Sequence, residues 1–94
     1  MNRLLVDAQL VARGALRHTP AGLPVYDMSL KHESQVQQEG TPRTVAFELK
    51  ARAIGAMAER VARLELGSMH GFGGFLGAAR NGRGIVFHVT ELAD

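Results

Sequence analysis

The 94-residue chain has no cysteine and no tryptophan, a single tyrosine, and only three prolines. Without cysteine there is no disulfide framework, no thiolate metal site and no thiol nucleophile, so redox and zinc-finger chemistry drop out and a reducing, cytoplasmic compartment is expected. No apolar run approaches the roughly 20 residues that a membrane-crossing helix needs. The amino terminus places Leu4, Leu5 and Val6 behind Arg3, but Asp7 and Gln9 interrupt that stretch before a signal-peptide core forms. No membrane partner is expected.

What remains fits one small domain, residues 1–94, with 46% hydrophobic and 21% charged residues. A chain of this size hides roughly 60 to 65% of its unfolded surface, too little to enclose a deep substrate cavity as well as a core. The formal charge is +2, from 11 basic and 9 acidic residues, so the molecule is no polycation. Yet all the basic residues except Lys31 and Lys50 are arginine: positions 3, 13, 17, 43, 52, 60, 63, 80 and 83. Arginine offers a planar fork of donors that matches phosphate oxygens and stacks on bases, which suits nucleic acid; GC-rich coding gives the same bias with no function attached.

The periodicity predicts five strands and one helix. Residues 3–17 read as a first strand that bends at Gly14, and 18–24, rich in Pro and Gly, as a loop. In 25–32, Tyr26, Met28 and Leu30 alternate with Asp27, Ser29 and Lys31, the pattern of a strand with one wet face. Residues 33–42 are polar without apolar periodicity and read as a mobile connection. A third strand over 43–53 turns Val45, Phe47 and Leu49 inward. From Ile54 the period changes, with Met57, Ala58, Val61 and Leu64 on one helical face. A glycine-rich strand over 69–77 and a last strand over 85–90 flank residues 79–84, where Asn81-Gly82 signals a type I′ hairpin.

The order β-β-β-α-β-β is that of the all-β, five-stranded Greek-key OB-fold barrel, with its short helix between strands three and four. Such barrels take up single-stranded nucleic acid or oligosaccharide on the strand two and three face and on the first and fourth loops. Arg80 and Arg83 flank the tip of the fourth loop, where they can clamp a phosphate backbone; hairpin tips also carry charge merely for solubility. That use needs them on one side with Arg17, Arg43 and Lys50. Phe72 and Phe75 lie on opposite faces of a regular strand, and whichever faces out is a base-stacking platform; Phe72 is placed on the DNA surface on that footing.

Catalytic constellations are lacking. His18, His32, His70 and His88 are scattered one per strand or loop, with no HxH or HxxxH spacing, and Ser29, Ser34 and Ser68 have no nucleophile-elbow context. The stretch His70-Gly71-Phe72-Gly73-Gly74-Phe75 fits neither an RNP1 element nor a dinucleotide fingerprint, since the glycines fall out of register. No enzyme, no cofactor and no metal are expected.

Several segments together resemble the primosomal replication protein N (PriB) family over nearly the whole chain. They are Asn2-Arg3-Leu4, Ala12-Arg13-Gly14-Ala15-Leu16-Arg17 followed by Pro20-Ala21-Gly22-Leu23-Pro24, Leu30-Lys31-His32-Glu33-Ser34, Glu39-Gly40 ahead of Arg43, and Ala79-Arg80-Asn81-Gly82. The resemblance implies a small homodimer related to bacterial single-stranded DNA-binding protein but without its acidic tail. It implies binding to single-stranded DNA at stalled forks and to the PriA helicase, reloading of the replicative helicase, and no catalysis. Further primosome components are possible partners. DNA contacts carried over from the family fall on Lys31, Lys50 and the 80–83 hairpin, and the dimer interface on Arg3, Leu4 and Val6. Two departures stand out: a stacking tryptophan of strand three has Ala46 in its place, and a lysine-rich fourth loop is reduced to Arg80 and Arg83. DNA binding weaker than the family norm is expected, with Arg17, Arg43 and Lys50 compensating. The alternative is a protein–protein adaptor with incidental DNA contact.

Overall fold

The structure, a computed structural model, describes residues 1–93. Its elements are β1 (Leu4–His18), β2 (Pro24–Gln38), β3 (Thr41–Ile54), α1 (Ala56–Ala62), β4 (Met69–Ala78) and β5 (Ile85–Ala93). They close into a barrel in the order β1-β2-β3-β5-β4, antiparallel except at the parallel β3–β5 seam. This is the OB-fold order anticipated from the sequence, with the helix between β3 and β4.

Alternation along the strands builds the core. Leu10, Tyr26, Met28, Leu30, Phe72 and Phe87 project inward and are buried. Each such side chain contributes about 1.5 to 3 kcal/mol by leaving water. Ala8, Ala51 and Ala53 share that interior, and their small size leaves room for the two phenylalanine rings in a narrow barrel. The helix covers one end of the barrel with Ala58 and Val61, both fully buried, while Met57 and Leu64 pack at its margin. It is shorter than the periodicity predicts, because Gly55 turns at φ 76° and leaves Ile54 as an exposed strand end.

The largest difference concerns residues 33–42. They form no mobile connection: β2 and β3 stay paired from Val25↔Ile54 out to Gln38↔Thr41, an arm reaching beyond the barrel. Its two-residue tip, Glu39-Gly40, has φ of 52° and 73°, the positive pair that a type I′ turn requires. Both faces of the arm are wet, so no apolar alternation marks it in the sequence. For the same reason Phe47, expected inside, is 41% exposed. The core ends near Leu30 and Leu49, and Phe47 lies one step further out, against the His32 ring at 5.1 Å.

The fourth connection differs too. Its turn is closed by the Gly82 N–H donating to the Ala79 carbonyl at 2.9 Å, and the positive φ values fall on Gly82 and Gly84 but not on Asn81. Asn81 instead accepts the Arg83 N–H on Oδ1 at 2.9 Å, a side-chain turn that stiffens the tip. The hairpin anticipated there exists, with a different turn.

Closure demands close backbone approach at Gly14, where β1 bulges across β2 and a Cβ would run into the Asp27 carbonyl oxygen. At Gly71 a Cβ would meet only the Asp7 carboxylate, at 3.3 Å, and the Ala93 methyl, at 3.4 Å. Gly14→Ala should therefore cost about 2 kcal/mol, in the range of overpacked core substitutions. Gly71→Ala should stay within about 0.5 kcal/mol. Urea unfolding midpoints at unchanged m-value give both numbers, and equal midpoints for the two variants would contradict the crossing.

Candidate nucleic-acid interface

The outer face of β2 and β3 is set by register. Its cross-strand pairs are Asp27↔Arg52, Ser29↔Lys50, Lys31↔Glu48 and Glu33↔Ala46, so cations and carboxylates share one surface. Lys50 donates from Nζ to Ser29 Oγ at 3.3 Å. Beside it a shallow groove of about 220 Å³ runs between β1 and β2, lined by Ala12, Arg13, Gly14, Asp27, Ser29 and Lys50 among others. Gly14 gives this groove its floor, and the Arg13 guanidinium is tethered at one side by bonds to the Tyr26 hydroxyl (3.2 Å) and the Ala62 carbonyl (3.0 Å).

Asp27 organises one end of this face. Its Oδ2 lies 2.8 Å from Arg17 Nη2 and its Oδ1 lies 2.7 Å from Arg52 Nε. One carboxylate thus holds two guanidinium groups from two neighbouring strands. At this degree of exposure each pair adds only about 0 to 1 kcal/mol to stability, so the main consequence is local charge. Arg17, anticipated as a DNA cation, is ion-paired here with Asp27.

The other anticipated cations divide. Lys31 and Lys50 share the outer face, and Arg80 and Arg83 project from the fourth loop; among the described residues none of these four has a carboxylate within ion-pair distance. The parallel pairs Ala51↔Phe87 and Arg52↔His88 set β5, and with it the end of that loop, alongside β3. Arg43 is not with them. It pairs with Val36 on the opposite face of the arm and donates to Gln38 Oε1 at 2.6 Å.

Phe72 is corrected. It is only 2% exposed and packs in the core, whereas Phe75 is 42% exposed and stacks flat on His88, with centroids 4.8 Å apart and planes 7° from parallel. Three residues along a strand do place the rings on opposite faces, and the uninterrupted β1–β4 register, which sets Phe72 beside the core-facing Val6, decides that Phe75 is the one outside. At Gly74, where the β4–β5 register shifts, a Cβ would strike the His88 carbonyl. The Phe75–His88 pair escaped the sequence reading because a cross-strand partner is invisible without the register. Arg52 escaped it too, although its outward position in the alternation of β3 was a signal that could have found it.

The residues assigned to a dimer interface lie at the start of β1. Leu4 and Val6 are partly buried against the core of their own barrel, Val6 also lines an open groove beside Leu5 and Asp7, and Arg3 pairs with Glu91 at 3.3 Å. The outward residue is Leu5, 64% exposed. Residues 4–8 pair with β4 alone, since pairing to β2 begins at Gln9↔Lys31, so one backbone edge of this segment has no strand beside it. Part of that edge is capped by His32, whose Nδ1–H donates to the Asp7 carbonyl at 2.6 Å while Nε2 accepts from Ser34 Oγ at 2.8 Å. Among the described residues no three metal-ligating side chains converge.

Residues 2–91 match the model of a single-strand binding protein family. The chain is 44% identical over 80 residues to replication restart protein PriB of Bordetella pertussis, covering 85% of this chain and 75% of that one. It is 32% identical over 91 residues to the PriB of Nitrosomonas europaea, covering 96% and 84%. The solved structure of PriB from Ralstonia solanacearum superposes with a TM-score of 0.88 at 37% identity, over 98% of this chain and 95% of that one. The single-stranded DNA binding protein of Thermus aquaticus shares the fold at a TM-score of 0.77 and 23% identity, over all of this chain and half of that one.

Proposed function

This chain belongs to the PriB branch of the single-strand binding protein family, and on that premise we propose that it is a non-enzymatic replication restart factor that binds single-stranded DNA in the cytoplasm. The observation that carries this reading is a group of four cations, Lys31, Lys50, Arg80 and Arg83, which have no carboxylate in ion-pair distance among the described residues and lie on the outer face of β2 and β3 and on the fourth loop of a closed barrel. A strand laid over β2 and β3 meets Lys50 and Lys31, and the fourth loop brings Arg80 and Arg83 against its phosphates. Phosphate contacts of this kind hold the strand without reading its sequence. Binding is weaker than in a fully basic groove, because Asp27 occupies Arg17 and Arg52, and Ala46 offers no ring for stacking.

The same weakness favours a second task in the same assembly, holding the PriA helicase and helping to reload the replicative helicase. The protein acts as a homodimer in this reading. The unpaired backbone edge of residues 4–8 supports it, since a second β1 can continue the ladder there with Leu5 at the contact.

Fluorescence anisotropy of a labelled oligo(dT) across a salt series tests the DNA reading. Affinity should fall with salt, and Arg80→Ala and Arg83→Ala should each lower the log–log slope by about 0.7. Asp27→Asn should tighten binding and steepen the slope by freeing two guanidinium groups. Salt-independent affinity, or no response to all three substitutions, contradicts the surface. For the partner, purified PriA should be retained by the immobilised protein without DNA, and that retention should survive the two loop substitutions if the adaptor role dominates. Loss of retention in the double variant places PriA on the DNA-binding loop.

A further inference from the structure

One outward side chain per strand forms a row around the barrel. The registers Phe75↔His88 and Arg52↔His88 set three of them on adjacent strands, and continuing Leu4↔Gly74 by one residue brings Arg3 beside Phe75. The row therefore runs Arg3, Phe75, His88, Arg52: two stacked rings with a guanidinium at each end. An outward phenylalanine on a wet strand loses by its exposure, and the core next to it is already filled by Phe72 and Phe87. What sets Phe75 apart from the similarly exposed Phe47 is the slot beside it.

His88 covers one face of Phe75. Against the rest of the ring lies a slot of about 190 Å³, lined by Asn2, Arg3, Gly74, Phe75, Thr90 and Glu91. Its walls are held in place before anything binds. Asn2 is fixed to the backbone of Leu76 by two hydrogen bonds, donating to the carbonyl at 2.6 Å and accepting the N–H at 2.9 Å. The Arg3 guanidinium is anchored by both oxygens of Glu91, each 3.3 Å from Nη2. The slot is smaller than the roughly 300 Å³ at which drug-sized pockets begin, so it suits one ring system and not a whole nucleotide.

We infer that this slot receives one unpaired nucleobase of the bound DNA strand, stacked on Phe75 and flanked by the Arg3 guanidinium. A base offers what these walls complement: a π-face for the phenyl ring and for the cation plane, and a polar edge for the Thr90 hydroxyl. The strand reaches it along the β4–β5 hairpin, whose tip carries Arg80 and Arg83, so backbone and base are held by the same two strands. The site supplies on β4 the stacking that Ala46 does not supply on β3. Arg3 becomes a base contact and not a dimer contact. The inference rests on the single-strand reading given above.

The chain contains no tryptophan, so Phe75→Trp introduces the only indole and a direct reporter of the slot. Its emission is followed while oligo(dT), or an abasic strand of the same length, is added, with anisotropy of the labelled strand measured in parallel. Quenching by oligo(dT) but not by the abasic strand is expected. Phe75→Leu should weaken oligo(dT) about tenfold, and Arg3→Ala should weaken it as well, both leaving the abasic strand unaffected. Unchanged emission while anisotropy reports binding, or equal quenching by the abasic strand, overturns the slot and leaves the single-strand reading intact. If neither strand binds, both fall together.

Discussion

The parallel seam between β3 and β5 is the contact on which the rest of the molecule depends. It consists of only two register pairs, Ala51↔Phe87 and Arg52↔His88, yet it turns an open meander into a tube. The inward members, Ala51 and Phe87, are both buried, so the seam is cemented from inside by a small residue against a large one. Without it β3 and β5 would be sheet edges with unpaired backbone groups, a standing invitation to aggregation. The outward members carry the functional consequence. Because Arg52 and His88 are neighbours, the cations of β2 and β3 and the ring pair of β4 and β5 belong to one continuous outer surface.

That surface is a compromise in charge. With a formal +2 over the whole chain, it cannot hold DNA by bulk attraction, and its basic residues are interleaved with carboxylates. Asp27 sits between Arg17 and Arg52, Glu48 opposite Lys31, and Glu91 against Arg3. Such an arrangement lowers affinity, since each phosphate contact forgone removes its share of counterion release. It also fixes guanidinium planes that would otherwise swing freely, and a fixed plane stacks at lower entropic cost than a mobile one.

Much of this was legible in the residues. The alternation of Tyr26, Met28 and Leu30, the change of period after Ile54 and the punctuation by Gly and Pro specify five strands and a helix in the right order, and order alone identifies the barrel. Three things were hidden, each for a definite reason. The arm over residues 33–42 pairs through backbone hydrogen bonds with both faces wet, so it leaves no apolar signature. The choice between Phe72 and Phe75 turns on the register of β4 against β1, which sets Phe72 beside the core-facing Val6 and is not written in either strand alone. Whether an arginine is free or held depends on cross-strand partners; Arg17 and Asp27 are ten residues apart in the chain and 2.8 Å apart in space. Local pattern carries the fold, whereas the charge state of the surface lies in the register.

If this chain binds single-stranded DNA, one face of the closed barrel, running from β2 and β3 to the fourth loop, meets it. Backbone amide shifts in a ¹⁵N NMR titration with unlabelled oligo(dT) test it most directly. Ser29, Lys31, Lys50 and residues 80–84 should move together and saturate at one concentration. Shifts confined to the opposite face of the arm, around His32, Val45 and Phe47, or to the helix, with those residues unmoved, would contradict it.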